Sequence, residues 1–258
     1  MTPNHFIKEI KKRNPALFWF GWINVLMLVV TVLMSVVDTT LIMGINAWIK
    51  PMKFAISVTI YTWTFAWLLH YLPDPVRKTF ISWGIIICMT VENTLIFMQA
   101  FRGTTSHFNI RSAFDAIVFS TMGFFILLNT FLVLYTIILF FSKKISLESP
   151  FLLAWRLGLI FFFLGAISGG VMSVQLSHTI GMADGGPGIP FLNWSTVAGD
   201  VRSAHFITLH GLQFIPLSAL VFHKLSKENA GKLVGFFALF YGVVCVWLHG
   251  LAFNGLPV

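Results

Sequence analysis

The stretch from Gly199 to Leu217, G-D-V-R-S-A-H-F-I-T-L-H-G-L-Q-F-I-P-L, decides how this chain is read. It sets an acid, an arginine, two histidines and a glutamine at the mouth and in the first turns of an otherwise apolar run. A charged side chain at the middle of a bilayer costs about 2 to 4 kcal/mol, and less near the edge. Such a cluster in a membrane helix needs a reason. The composition of the whole chain puts it in a membrane: 57% of residues are hydrophobic and only 10% charged, and the mean hydropathy of +0.85 lies outside the soluble range.

Spanning a bilayer takes about 20 apolar residues in a helix. Seven stretches qualify, roughly Ala16 to Val37, Met52 to Leu72, Phe80 to Ala100, Ala113 to Phe141, Phe151 to Met172, Ser203 to Phe222 and Leu233 to Phe253. The expected fold is therefore all-α: a polytopic transmembrane bundle of seven helices, with residues 1–258 forming a single domain. The basic N-terminus, M-T-P-N-H-F-I-K-E-I-K-K-R-N-P, precedes an apolar run too long for a signal peptide, so that run is read as a retained first helix.

Lysine and arginine set the expected orientation. Eleven fall on one side (Lys8, Lys11, Lys12, Arg13, Arg77, Lys78, Lys143, Lys144, Lys224, Lys227, Lys232) and five on the other (Lys50, Lys53, Arg102, Arg111, Arg202). This bias places the N-terminus in the cytoplasm and the C-terminus outside. The net charge of +8 sits in short clusters between apolar runs, not in an extended patch, which argues against nucleic acid as a partner. Cys88 and Cys245 lie within apolar runs, so neither a disulfide framework nor a Cys-x-x-Cys metal site is available. A long external loop at about 173–202 contains M-A-D-G-G-P-G-I-P-F-L-N-W-S-T, whose glycines and prolines favour fixed turns.

The strings G-G-P-G-I-P-F-L-N-W-S-T, G-D-V-R-S-A-H-F and L-H-G-L-Q-F-I-P-L resemble an uncharacterised family of bacterial seven-helix integral membrane proteins. G-I-N-A-W-I-K-P-M-K-F and A-F-R-G-T-T-S-H-F-N extend the resemblance. It implies a multi-pass protein of the bacterial cytoplasmic membrane and carries no activity with it. The zinc-dependent seven-helix hydrolases share a superficial E-N-T and S-H-F, but their late His-x-x-x-His pair is missing here.

The candidate site lies in the outer half, on the third, sixth and seventh spans. At a rise of about 1.5 Å per residue, His205 lies near the outer edge, His210 about 10 Å in, Gln213 about 15 Å in, and His249 about 6 Å below the end of the last span. Glu92 lies about 15 Å below Arg102, with Gln99 between them on the same stripe. A carboxyl inside an apolar helix has to be paired, protonated or metal-bound, which makes Glu92 the candidate catalytic residue. His210 and His249 could offer axial imidazoles to a haem b, with Arg202, Arg102 and Lys53 meeting its propionates and Gln99 and Gln213 completing the polar lining. Alternatively His210, His249, Glu92 and His205 could hold a zinc or iron ion. Two axial histidines imply electron transfer, with membrane lipids and a quinone or small anionic ligand as partners. The competing class is a transporter or receptor for a small anionic or amphipathic molecule, drawn in by the outer basic residues and covered by the Gly/Pro loop.

Overall fold

A computed structural model describes residues 3–258. Seven of its helices are long and apolar enough to cross a membrane, so the chain is an all-α, multi-pass membrane-type bundle. In chain order these are α2 (Pro15–Val37), α3 (Ile49–Leu69), α4 (Pro75–Phe101), α5 (Ala113–Ser142), α6 (Ser149–Gln175), α7 (Val201–Leu225) and α8 (Ala230–Phe253). Each matches an expected span. The boundaries shift where polar residues begin a helix: α4 starts five residues early because Asp74 caps it, accepting from the Val76 and Arg77 amides, with Pro75 in the first turn.

One helix went unexpected. The basic N-terminal segment forms α1 (Pro3–Arg13), which buries Ile10 completely and stacks Phe6 on Trp67 at 5.6 Å. Its lysines stay exposed at positions 8, 11 and 12, so the segment is an amphipathic surface helix as well as a charge signal.

Four two-residue strands make two small hairpin-like ladders. β1 (Leu41–Ile42) pairs with β2 (Ile45–Asn46) across Met43 and Gly44, both at positive φ (51° and 79°), which is the geometry that keeps a two-residue turn in register with twisted strands. β3 (Thr179–Ile180) pairs with β4 (Gly199–Asp200), closing the long loop on itself.

The chain gathers into two compact units, Met1–Thr136 and Ile137–Val258, with the division falling inside α5. In the first, α2 and α3 pack closely, and Trp63 donates its indole N–H to the Phe18 carbonyl at 3.3 Å. Buried polar pairs then tie further helices together: Tyr61 on α3 donates to Asn129 on α5 at 2.9 Å, and Asn93 on α4 donates to Asn24 on α2 at 2.7 Å.

In the second unit α6, α7 and α8 enclose a core of Ala154, Ile215, Ala219, Val234, Ala238, Tyr241 and Cys245. The G-A-I-S-G-G segment of α6 is a helix-packing surface: a Cβ on Gly165 would lie 2.8 Å from the Leu209 amide nitrogen, and one on Gly169 would lie 2.9 Å from the His205 ring. Without hydrophobic drive between lipid-solvated helices, such close approach supplies the dispersion contact that holds them. Cys88 and Cys245 are buried and free.

Candidate functional site

Glu92, Gln99, Arg102 and Lys53 belong to the first unit; Arg202, His205, His210, Gln213 and His249 belong to the second. Among the first, Glu92 and Gln99 are buried as their shared stripe requires, at 3% and 0% exposure. Gln99 donates to Asp115 at 3.0 Å, and Arg102 donates to the same carboxylate oxygen at 2.6 Å and also bonds the Gln99 carbonyl. The charge of Arg102 thus has an internal partner. Asp115 was not singled out from the sequence, yet a signal existed: Ser112 and Asp115 are three apart at a helix start, and they exchange hydrogen bonds of 2.7 and 3.1 Å as a capping pair. Lys53 lies half-buried in the first turn of α3.

Glu92 differs from these paired groups. Its Oε1 is buried with no hydrogen-bond partner among the described residues, and so is Oδ1 of the adjacent Asn93. The second vacancy follows from a directional chain. The Phe20 carbonyl can only accept, so Asn24 must present its amide nitrogen there, at 2.8 Å. Its oxygen then receives the Asn93 amide nitrogen, and the Asn93 oxygen is left over. Consecutive residues of α4 thus each bury one acceptor oxygen without a donor among the described residues.

In the second unit the mouth of α7 is built on Asp200, which is fully buried and caps the helix by accepting from the Arg202 amide at 3.0 Å. The same carboxylate accepts from the Ser195 amide at 2.7 Å and from the Arg202 guanidinium at 2.9 and 2.6 Å. Arg202 also bonds the Asn193 carbonyl, so its side chain folds back and fastens the loop.

A second carboxylate holds the start of that loop. Asp184 accepts from the amides of His178 and Thr179, the hydroxyls of Ser177 and Thr179, and the His178 ring at 2.6 Å. Burial alone would push this carboxyl up, but the hydrogen bond and charge of His178 and the Thr179 hydroxyl outweigh it and hold it below the ordinary aspartate range. The long segment is thus an ordered loop with an acid anchor at each end.

Three histidines of this unit share one feature. His205 Nδ1 lies 2.8 Å from the Gly165 carbonyl, His210 Nδ1 lies 2.8 Å from the Phe206 carbonyl, and His249 Nδ1 lies 2.8 Å from the Cys245 carbonyl. A carbonyl cannot donate, so Nδ1 carries the proton in each ring, and in the neutral imidazole Nε2 keeps its lone pair. None of the three Nε2 atoms makes a hydrogen bond among the described residues, and all three side chains are half-buried.

Their levels follow from one tight contact. The β4 backbone at Gly199 lies against the end of α8, where a Cβ would come within 2.1 Å of the Ala252 carbonyl oxygen. With residues 199 and 252 level, His205 lies about 6 Å below the start of α7 and His249 about 5 Å below Ala252, whereas His210 lies about 14 Å down. His205 and His249 therefore share a layer, and His210 sits deeper, its ring 4.0 Å from that of Phe206.

Among the described residues no three His, Cys, Asp or Glu side chains gather in a metal-holding group. Comparison of the chain with models of known protein families, with curated proteins and with solved structures finds no match in any of them.

Proposed function

We propose that this multi-pass protein lies in a bacterial cytoplasmic membrane, N-terminus inside, and binds at the outer end of its second unit a haem b for electron transfer, or in its place a zinc or iron ion. The observation that carries the reading is the common Nδ1-to-carbonyl bond, which fixes the tautomer and orients Nε2 as a ligand, the role such outer bonds play for metal-binding histidines. His249 is the first ligand. The layer it shares with His205 makes that residue the second, with His210 the deeper alternative. Two imidazoles on a haem iron leave no open position for substrate, which suits electron exchange with a membrane quinone.

Arg202 keeps its structural bonds in this reading and contributes positive potential near the mouth. Alanine at His249 or His205 is expected to reduce bound metal at least about tenfold, and His210→Ala to retain it. Metal content per protein, measured on all three variants, checks this. Retention in His249→Ala sinks the assignment, while loss in His210→Ala with retention in His205→Ala contradicts the shared layer.

A second reading, proton-coupled carriage of a small anionic or amphipathic molecule, is favoured by the unpartnered oxygens of Glu92 and Asn93. A transported proton or a donor on the cargo would fill them. Glu92→Gln supplies a permanent N–H donor at the same size, so it is expected to match or exceed the wild-type melting temperature and to abolish coupled uptake. A variant that takes up cargo normally removes Glu92 from that role.

A further inference from the structure

The basic end of the first unit carries a groove that the reading above does not use. It has a volume of about 350 Å³ and is lined by the α1–α2 junction on one side and the first turns of α4 on the other. Arg13 and Lys78 bring positive charge to it, Asn14 and Ser82 form a polar floor, and Thr79 and Trp83 complete the α4 side.

The floor is internally satisfied. Asn14 donates to Ser82 at 2.7 Å, and Ser82 donates to the Lys78 carbonyl at 2.7 Å. The cations are less so. Arg13 is held rigidly, its guanidinium stacked 3.7 Å over Trp67, with bonds to Glu9 and to the Tyr71 hydroxyl. Those two bonds leave further guanidinium N–H groups for another acceptor. Among the described residues Lys78 makes only a long contact, 3.4 Å, to the His70 carbonyl.

Charge around the groove is one-sided. Residues 8–13 and 74–78 hold six Lys and Arg against Glu9 and Asp74. Next to it lies a shallow, open apolar surface that shares Pro75 and Thr79 and adds Val76 and Phe80. Trp83 at 54% and Phe80 at 62% exposure continue that surface along α4. A polar, cationic pocket that opens onto an apolar track at a helix end matches an amphiphile with an anionic head, and indole rings at that level suit the headgroup region.

We propose that this groove binds the phosphate headgroup of an anionic phospholipid, with Lys78 and Arg13 as counter-charges and an acyl chain lying over Trp83 and Phe80. A zwitterionic lipid offers the same phosphate but cancels its charge with a choline cation, which the excess of basic residues left after the Arg13–Glu9 and Arg77–Asp74 pairs disfavours. Inorganic phosphate offers the charge without the chain.

The test uses the full chain, purified in mild detergent, with phosphatidylglycerol, phosphatidylcholine or inorganic phosphate added, and reads lipid retained per protein by native mass spectrometry together with the melting temperature. Phosphatidylglycerol is expected to be retained and to raise the melting temperature. Lys78→Gln should weaken that retention about five-fold, as loss of one interfacial basic residue implies. Lys143→Gln, at an exposed lysine that is not one of those six, should leave it unchanged. Equal retention of phosphatidylcholine, an equal response to inorganic phosphate, or full retention by Lys78→Gln overturns the proposal.

Discussion

Asp200→Ala is expected to destabilise the protein by about 3–5 kcal/mol, a fall in melting temperature on the order of 10 °C. The carboxylate is completely buried and has four donors: the Ser195 and Arg202 amides and two nitrogens of the Arg202 guanidinium. Removing it leaves a cation at 25% side-chain exposure without its counter-charge, and strips the cap from α7. Leaving one partner of a buried pair behind is worse than removing both. Asp200→Asn keeps an acceptor and should fall between alanine and wild type. Thermal unfolding in detergent, followed by circular dichroism, measures both; a loss under about 1 kcal/mol for alanine would mean that the Arg202 pair does not hold the loop.

The second large effect is expected at the preceding residue. In Gly199→Ala the new methyl would stand 2.1 Å from the Ala252 oxygen, 2.8 Å from the Gly255 Cα and 2.9 Å from the Ala252 carbonyl carbon, all of them backbone atoms. No side chain can rotate away, so the ladder that carries β4 must separate from the end of α8. Overpacking of this kind costs about 1–3 kcal/mol and more where the backbone cannot relax. The same displacement would move His205 out of the layer of His249, so loss of stability and loss of any ligated metal should appear together. Gly186→Ala is the matched control in the same loop, since a Cβ there meets nothing within 4 Å. A Gly199→Ala protein as stable as that control would refute the close contact on which the histidine layers rest.

The seven spans were legible because length and apolar composition alone set them, and polar residues only move their ends, as Asp74 does for α4. α1 is not legible in the same way, because its lysines carry the topology signal while the Ile10 and Phe6 that seat it are too few to register as a span. The burial of Glu92 and Gln99 on one stripe followed from helical periodicity. Their partners did not, because the Gln99–Asp115 and Arg102–Asp115 bonds cross from one helix to the start of the next.

Arg102 and Arg202 illustrate the same limit. From sequence they are outer positive charges able to meet a ligand; in the fold each is paired with a carboxylate whose position only the chain's turns determine. The imidazoles show the complementary case. That His210 and His249 lie four residues after a helical carbonyl was present in the numbering, so their Nδ1 bonds could have been anticipated. The grouping of His249 with His205 could not, because it rests on the non-local contact of Gly199 with Ala252.

The most direct test of the central claim is the absorption spectrum, oxidised and reduced, with elemental analysis of the same sample, for wild-type protein and His249→Ala produced with haem and metals supplied. The account predicts a Soret band or about one equivalent of metal in the wild type, lost in the variant. A colourless, metal-free wild type, or a variant that keeps the full signal, would contradict it.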